Sequence, residues 1–204
     1  PNRSYYMMEK ASARFTPMGV NPGDPVVNTE GHLVTLSAGA RVFPTGCTSP
    51  ACAIIYDGVS PLQMDQLSAV FKLKPGIQWS DGQPLTANDS VFSFETAADP
   101  IIPVSKKLVD LTQSYTATDD LTIEWVSEPG LVTKELWSFF WTPLPAHAWE
   151  GMEPDELLSS EAVNRLPLSW GAYMVDDWAP GEYIQLVKNP YYFRSGEGLP
   201  KTEI

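Results

Sequence analysis

Cationic side chains are scarce in this chain. Over 204 residues, 13 Lys and Arg face 25 Asp and Glu, a formal net charge of −12 at pH 7. Such a mean field repels a polyanionic phosphate backbone, which excludes nucleic acid as a partner. Long hydrophobic runs are missing too. No stretch approaches the roughly 18 apolar residues of a membrane-crossing helix, and the aromatic run from Trp137 to Trp141 soon meets prolines. Histidine is limited to His32 and His147, far apart and neither near the cysteines, so a zinc site would have to gather ligands from scattered positions. No metal and no cofactor are expected. There is no Gly-rich phosphate loop, and no Ser or Cys sits in a strand-turn-helix elbow that His147 could activate. The chain opens at Pro1 without initiator Met, basic leader or apolar signal core, which reads as a processed protein or an excised piece.

Cysteine is nearly absent as well. The two present, Cys47 and Cys52, enclose Thr48, Ser49 and Pro50. A pair this close can form a disulfide in an oxidising compartment. The alternative, two thiols that never meet, stays open because connectivity does not follow from sequence.

What is there suffices for a core. An apolar content of 43% with 19% charged residues is that of a folded protein of one or two domains. Nineteen prolines and fourteen glycines are dispersed, so they punctuate many short elements. Val26-Val27, Leu33 to Leu36 and Arg41 to Phe43 alternate with turn signals and read as a meander of short strands. From Ala69 the alternation sharpens: Ala69, Phe71 and Leu73 share one face while Val70, Lys72 and Lys74 share the other. Pro75-Gly76 and Asp81-Gly82 then mark turns. Thr86 caps a helix with Asp89 three residues on, and Val91, Phe94 and Ala98 recur at helical spacing until Asp99-Pro100, a face expected to pack on a sheet. Tyr115 to Thr118 and Leu121 to Val126 flank Asp119-Asp120 as a hairpin. A second hairpin pairs Gly171 to Trp178 with Tyr183 to Lys188 around Pro180-Gly181, and Glu153 to Arg165 reads as one acidic surface helix. Strands with interspersed helices, without regular βαβ alternation, give an α+β class.

Carboxylates do cluster, at Asp119/Asp120, Asp176/Asp177 and Glu153/Asp155/Glu156. Glycoside hydrolysis needs such pairs, but each falls in a turn or on a polar helix, where solvated charge is the ordinary explanation. No catalytic residues are assigned.

Four motifs in fixed order carry a resemblance. They are FKLKPGIQWSDGQPLTANDSVFSFE from Phe71 to Glu95, YTATDDLTIEWV from Tyr115 to Val126, LPAHAWE from Leu144 to Glu150, and WGAYMVDDWAPGEYIQLVKNPYYF from Trp170 to Phe193. Together they resemble family 5 extracellular solute-binding proteins, the oligopeptide, dipeptide and nickel receptors of ABC importers. One departure is local: Ser169-Trp170-Gly171-Ala172-Tyr173 stands where the family has a Gly-Thr-Gly-Pro-Tyr-like run, so a bulky Trp170 replaces a small residue. The resemblance implies an α+β, periplasmic-binding-protein-like II fold, here a fragment lacking the second ligand-binding lobe. Residues 1–17 would belong to domain I, 18–165 to a small domain II-like region, and 166–204 to the return to domain I up to the hinge. It further implies capture of an extracellular peptide or similar small solute and delivery to an ABC permease with its ATPase. The setting would be the periplasmic or extracellular face of the bacterial membrane, touched only through a lipid anchor upstream. A carbohydrate receptor of the same family is the alternative, since seven Trp and eight Tyr suit stacking on sugar rings; a hydrolase is the third reading.

Ligand-contacting candidates are aromatic. Trp137, Phe140 and Trp141 would share one face of a helix and offer flat surface for a ligand ring, with core packing as the competing account. Trp170 is the other candidate, on the same two terms. Trp79 and Trp178 sit in turn motifs and are assigned to packing.

Overall fold

The computed structural model describes residues 7–197. The ends of the segments expected in domain I, 1–6 and 198–204, lie outside the described residues. The chain divides into two compact units: one holds Lys10–Lys72 and Val104–Trp141, the other Leu73–Pro103 with the described parts of Pro1–Glu9 and Thr142–Ile204. These limits cut the chain at other points than residues 17 and 165.

The first unit is built on a four-stranded sheet, in the order β1 (Met8–Val20), β6 (Leu62–Leu73), β8 (Thr122–Ser127), β7 (Thr112–Asp119). Strand β6 runs antiparallel to β8, with Ala69 opposite Trp125 and Phe71 opposite Ile123. Ala69, Phe71 and Leu73 are buried while Val70 and Lys72 are exposed, as the alternation predicts. The strand starts earlier than its pattern suggests, because the buried positions switch from even (Leu62, Met64) to odd (Leu67, Ala69) numbers and so break the period of two. No sequence signal marked β1. It lies at the sheet edge, most of its side chains are exposed, and it carries Pro17, so backbone pairing holds it without an apolar stripe. Arg14 Nε adds a bond to Ser68 Oγ at 3.3 Å.

The expected short strands are present: β2 (Pro25–Val27) pairs β3 (Leu33–Thr35), while β4 (Arg41–Val42) pairs β5 (Ile54–Ile55), a strand the sequence pattern does not mark. Val20, Val26, Leu36, Val42, Tyr56, Leu62 and Met64 form the core here. Cys47 and Cys52 are joined as a disulfide, with 5.6 Å between their Cα atoms. In the β7–β8 hairpin the turn shifts by one residue: Asp119 pairs with Thr122, and its carboxylate accepts from Leu121 N at 2.9 Å. A short α2 (Lys107–Asp110) precedes β7.

In the second unit, Gly76 and Gly82 take positive φ (78° and 86°) in the two turns read from the sequence. Helix α1 (Ala87–Ala98) carries the full capping box of Thr86 and Asp89. Its buried face corrects the expectation, because Ala87, Asp89, Ser90 and Ser93 are buried while Val91 and Phe94 are half-buried. That face meets the segment leading into α3 (Ala146–Trp149): Ser93 Oγ donates to Thr142 O at 2.7 Å and Ala146 N donates to Asp89 Oδ1 at 2.9 Å. Small residues let the backbones approach, so polar bonds replace an apolar stripe. The acidic surface helix is two, α4 (Pro154–Ser159) and α5 (Glu161–Asn164), split at Ser160, whose ψ of 129° is extended. The closing hairpin pairs β9 (Tyr173–Ala179) with β10 (Tyr183–Lys188) around Gly181, with φ of 82°.

Candidate functional site

The second unit contains a cavity of about 780 Å³. Its walls are aromatic and aliphatic: Trp79 from the turn after Gly76, Trp149 from α3, Trp170 from the loop before β9, Tyr173 on β9, Leu186 on β10, and Phe193 beyond it. A volume of several hundred Å³ lined largely by apolar rings suits a small organic ligand or a few side chains of a larger one.

Two of these rings are fixed from behind. Trp79 is 2% exposed, and its indole N–H donates to Asp89 Oδ2 at 3.2 Å. Trp149 is buried at the end of α3. The turn that carries Trp79 is tied to α3 by His147 Nε2 and Asp81 Oδ2, 2.8 Å apart. Partial burial alone would raise the Asp81 carboxyl, but the N–H of Gln83 and the His147 ring outweigh it and hold it below the usual carboxylate range.

Trp170 sits at the tip of a heavily bonded loop. Ser169 N donates to Ser80 Oγ at 3.0 Å, Ser169 Oγ donates to Tyr173 O at 2.9 Å, and Gly171 N donates back to Ser169 Oγ at 3.0 Å. The side chain of Asn189 bridges the carbonyls of Ser169 and Gly171. Trp170 itself is half-buried.

The other three sequence candidates belong to the first unit. They do not form one helix face, because Leu136–Phe139 is a single 3₁₀ turn and Phe140 is already extended. Phe140 is 5% exposed and meets Phe71 edge-on at 5.5 Å between ring centroids. Trp137 lies tilted against Phe71 at 6.3 Å, and Trp141 packs edge-on against Tyr115 at 4.8 Å. Phe139 stacks on Trp125 at 4.3 Å. Trp79 is buried, as its assignment to packing expected, yet it also lines the cavity; Trp178 is half-buried on β9. Trp149 and Tyr173 carried a usable signal, since both lie inside quoted motifs, but nothing local marks them as cavity walls.

The Asp176/Asp177 pair has structural partners. Asp176 accepts from Gln185 Nε2 at 2.7 Å and Asp177 from Tyr183 Oη at 2.5 Å, both across the β9–β10 hairpin. That contact raises the Tyr183 phenol. Among the described residues, no group of three or more His, Cys, Asp or Glu could hold a metal ion, and no helix is long and apolar enough to cross a membrane.

The pattern of the family described as bacterial extracellular solute-binding proteins, family 5 Middle, matches residues 62–203. The chain belongs to this family. Its members are binding proteins, periplasmic or extracellular, and not enzymes. Among the relatives, the "Probable deoxycholate-binding periplasmic protein YgiS" of Escherichia coli (strain K12) is 31% identical over 151 residues, 60% of this chain and 26% of that protein. The oligopeptide-binding protein OppA of Lactococcus lactis subsp. cremoris (strain SK11) is 26% identical over 171 residues, 72% of this chain and 28% of that protein. Among solved structures, the oligopeptide-binding protein AppA of Bacillus subtilis in complex with a nonapeptide gives a TM-score of 0.55 at 18% identity, over 83% of this chain and 30% of AppA. At that identity the likeness concerns fold alone, the α+β, periplasmic-binding-protein-like II type expected from the sequence. The chain spans only about a quarter of the length of these two sequence relatives.

Proposed function

We propose that the whole protein carrying this chain captures a peptide or similar small solute outside the cytoplasm. It hands that solute unchanged to a membrane permease driven by an ATPase, and a lipid anchor upstream holds the receptor at the membrane. The observation that carries this reading is the family match over residues 62–203. The Cys47–Cys52 disulfide supports a compartment outside the reducing cytoplasm. Peptide is preferred because oligopeptide binding is the function named for relatives such as OppA.

The cavity wall at Trp170 serves as the contact surface for apolar parts of the ligand, while Trp137, Phe140 and Trp141 serve as core aromatics, a role their ring contacts support. Isothermal titration of the whole protein with mixed peptides, an oligosaccharide and deoxycholate tests the reading. Saturable heat with peptides, and peptide recovered intact by mass spectrometry, is expected. Binding of the sugar or the bile salt alone, or recovery of cleaved product, would overturn it.

A further inference from the structure

Trp170 is half-buried and lines the cavity, and a large ring on a loop is a useful wall only if the loop is rigid. Asn189 is the residue placed to make it so. It is 3% exposed, the most deeply buried polar side chain of this hairpin region. Its Nδ2 donates to Ser169 O at 3.3 Å and to Gly171 O at 2.9 Å, the two carbonyls that flank Trp170. Its Oδ1 accepts from Tyr191 N at 2.9 Å, and its backbone N donates to Ala172 O at 3.0 Å. One amide therefore spans the Trp170 turn and anchors it to the chain beyond β10. Both donor hydrogens and the acceptor are used, so neither Asp, which lacks donors, nor Leu, which lacks both, can substitute.

We propose that Asn189 is a positioning residue for ligand recognition: by clamping the backbone on both sides of Trp170 it fixes the angle at which the indole enters the cavity. This rests on the reading of that cavity as a ligand wall. Asn189 does not itself contact ligand in this account. It acts through Trp170, so its effect on binding must vanish when the indole is gone.

A double-mutant cycle on the whole protein, with a mixed aromatic peptide as probe, reads this directly. Trp170→Ala and Asn189→Asp should each weaken affinity by about tenfold, and Asn189→Asp in the Trp170→Ala background should add less than about twofold. In parallel, 5-fluorotryptophan NMR follows each indole, the Trp170 resonance being assigned by its loss in Trp170→Phe. Asn189→Asp should move that resonance while leaving that of Trp125, in the core of the other unit, in place. Peptide binding unaffected by Trp170→Ala would overturn the cavity reading and the proposal with it. A Trp170 effect without an Asn189 effect, or an Asn189 effect that persists without the indole, would overturn the proposal alone. Movement of every indole resonance would show a general loss of fold and count against a positioning role.

Discussion

The indole N–H of Trp79 donates to the buried carboxylate of Asp89 at 3.2 Å. The same carboxylate accepts from Thr86 N at 2.8 Å and from Ala146 N at 2.9 Å, so one side chain caps α1, holds a cavity wall and docks α3. All three partners are donors. Asn at this position would turn an NH₂ toward at least one of them, and Asp89→Asn should destabilise the fold by about 2–3 kcal/mol, the cost of a buried donor left facing a donor. Urea unfolding followed by tryptophan fluorescence measures it. A change under about 0.5 kcal/mol, the size of an ordinary surface substitution, would show that the three bonds are not held together in solution.

Gly130 offers a sharper steric case. Its φ is 88°, and a Cβ there would lie 2.3 Å from Met64 Cε and 2.7 Å from Val27 O. The methionine tip can move, but the carbonyl cannot. Gly130→Ala should cost more than about 2 kcal/mol, combining a left-handed backbone with overpacking. Shortening Met64 as well should not rescue it. Gly181→Ala has a φ of 82° but nothing within 4 Å of the added Cβ, so only the backbone contribution of about 1 kcal/mol applies. Equal losses at the two glycines would refute the role assigned to the Val27 carbonyl.

These two sites show what the residues disclosed and what they hid. The capping box of Thr86 and Asp89 was legible because it is a local spacing rule, and so were Gly76, Gly82 and Gly181, whose turns need positive φ. The family was legible from four ordered motifs. Strand β1 was not, because an exposed edge strand has no apolar period to read. The buried face of α1 was misjudged for a related reason: Val91 and Phe94 set its apolar rhythm, but small polar residues at Ser90 and Ser93 permit the closer approach. Trp149 and Tyr173 became cavity walls only through contacts among segments distant in the chain, which no local pattern encodes.

Acid should weaken one surface loop at a defined pH. Asp57 is held at about 2, below its ordinary 3.8, first by the Ser60 hydroxyl and then by the N–H groups of Ser60 and Val59. A carboxyl lowered by folding stabilises the folded loop fully above the ordinary value, and that contribution is lost as pH falls from 3.8 through about 2. Carboxyl NMR titration should show the low midpoint, and Ser60→Ala should raise it. An Asp57 midpoint near its ordinary value in the unaltered protein would mean the loop is open in solution.

The four aromatic candidates separate by what their removal damages. Phe140 is buried against Phe71, so Phe140→Ala should cost about 3–5 kcal/mol of stability through the cavity it leaves. Trp170 is half-buried at a loop tip, where truncation leaves no enclosed void, so Trp170→Ala should cost less than about 1 kcal/mol while weakening peptide binding. Trp137 and Trp141, half-buried but each against a ring partner, should fall between on stability and leave affinity unchanged once the folded fraction is accounted for. Calorimetric melting and titration on the same four variants make the comparison. If Trp141→Ala weakened peptide binding as much as Trp170→Ala at full folding, the assignment of the aromatic segment after β8 to the core would fail.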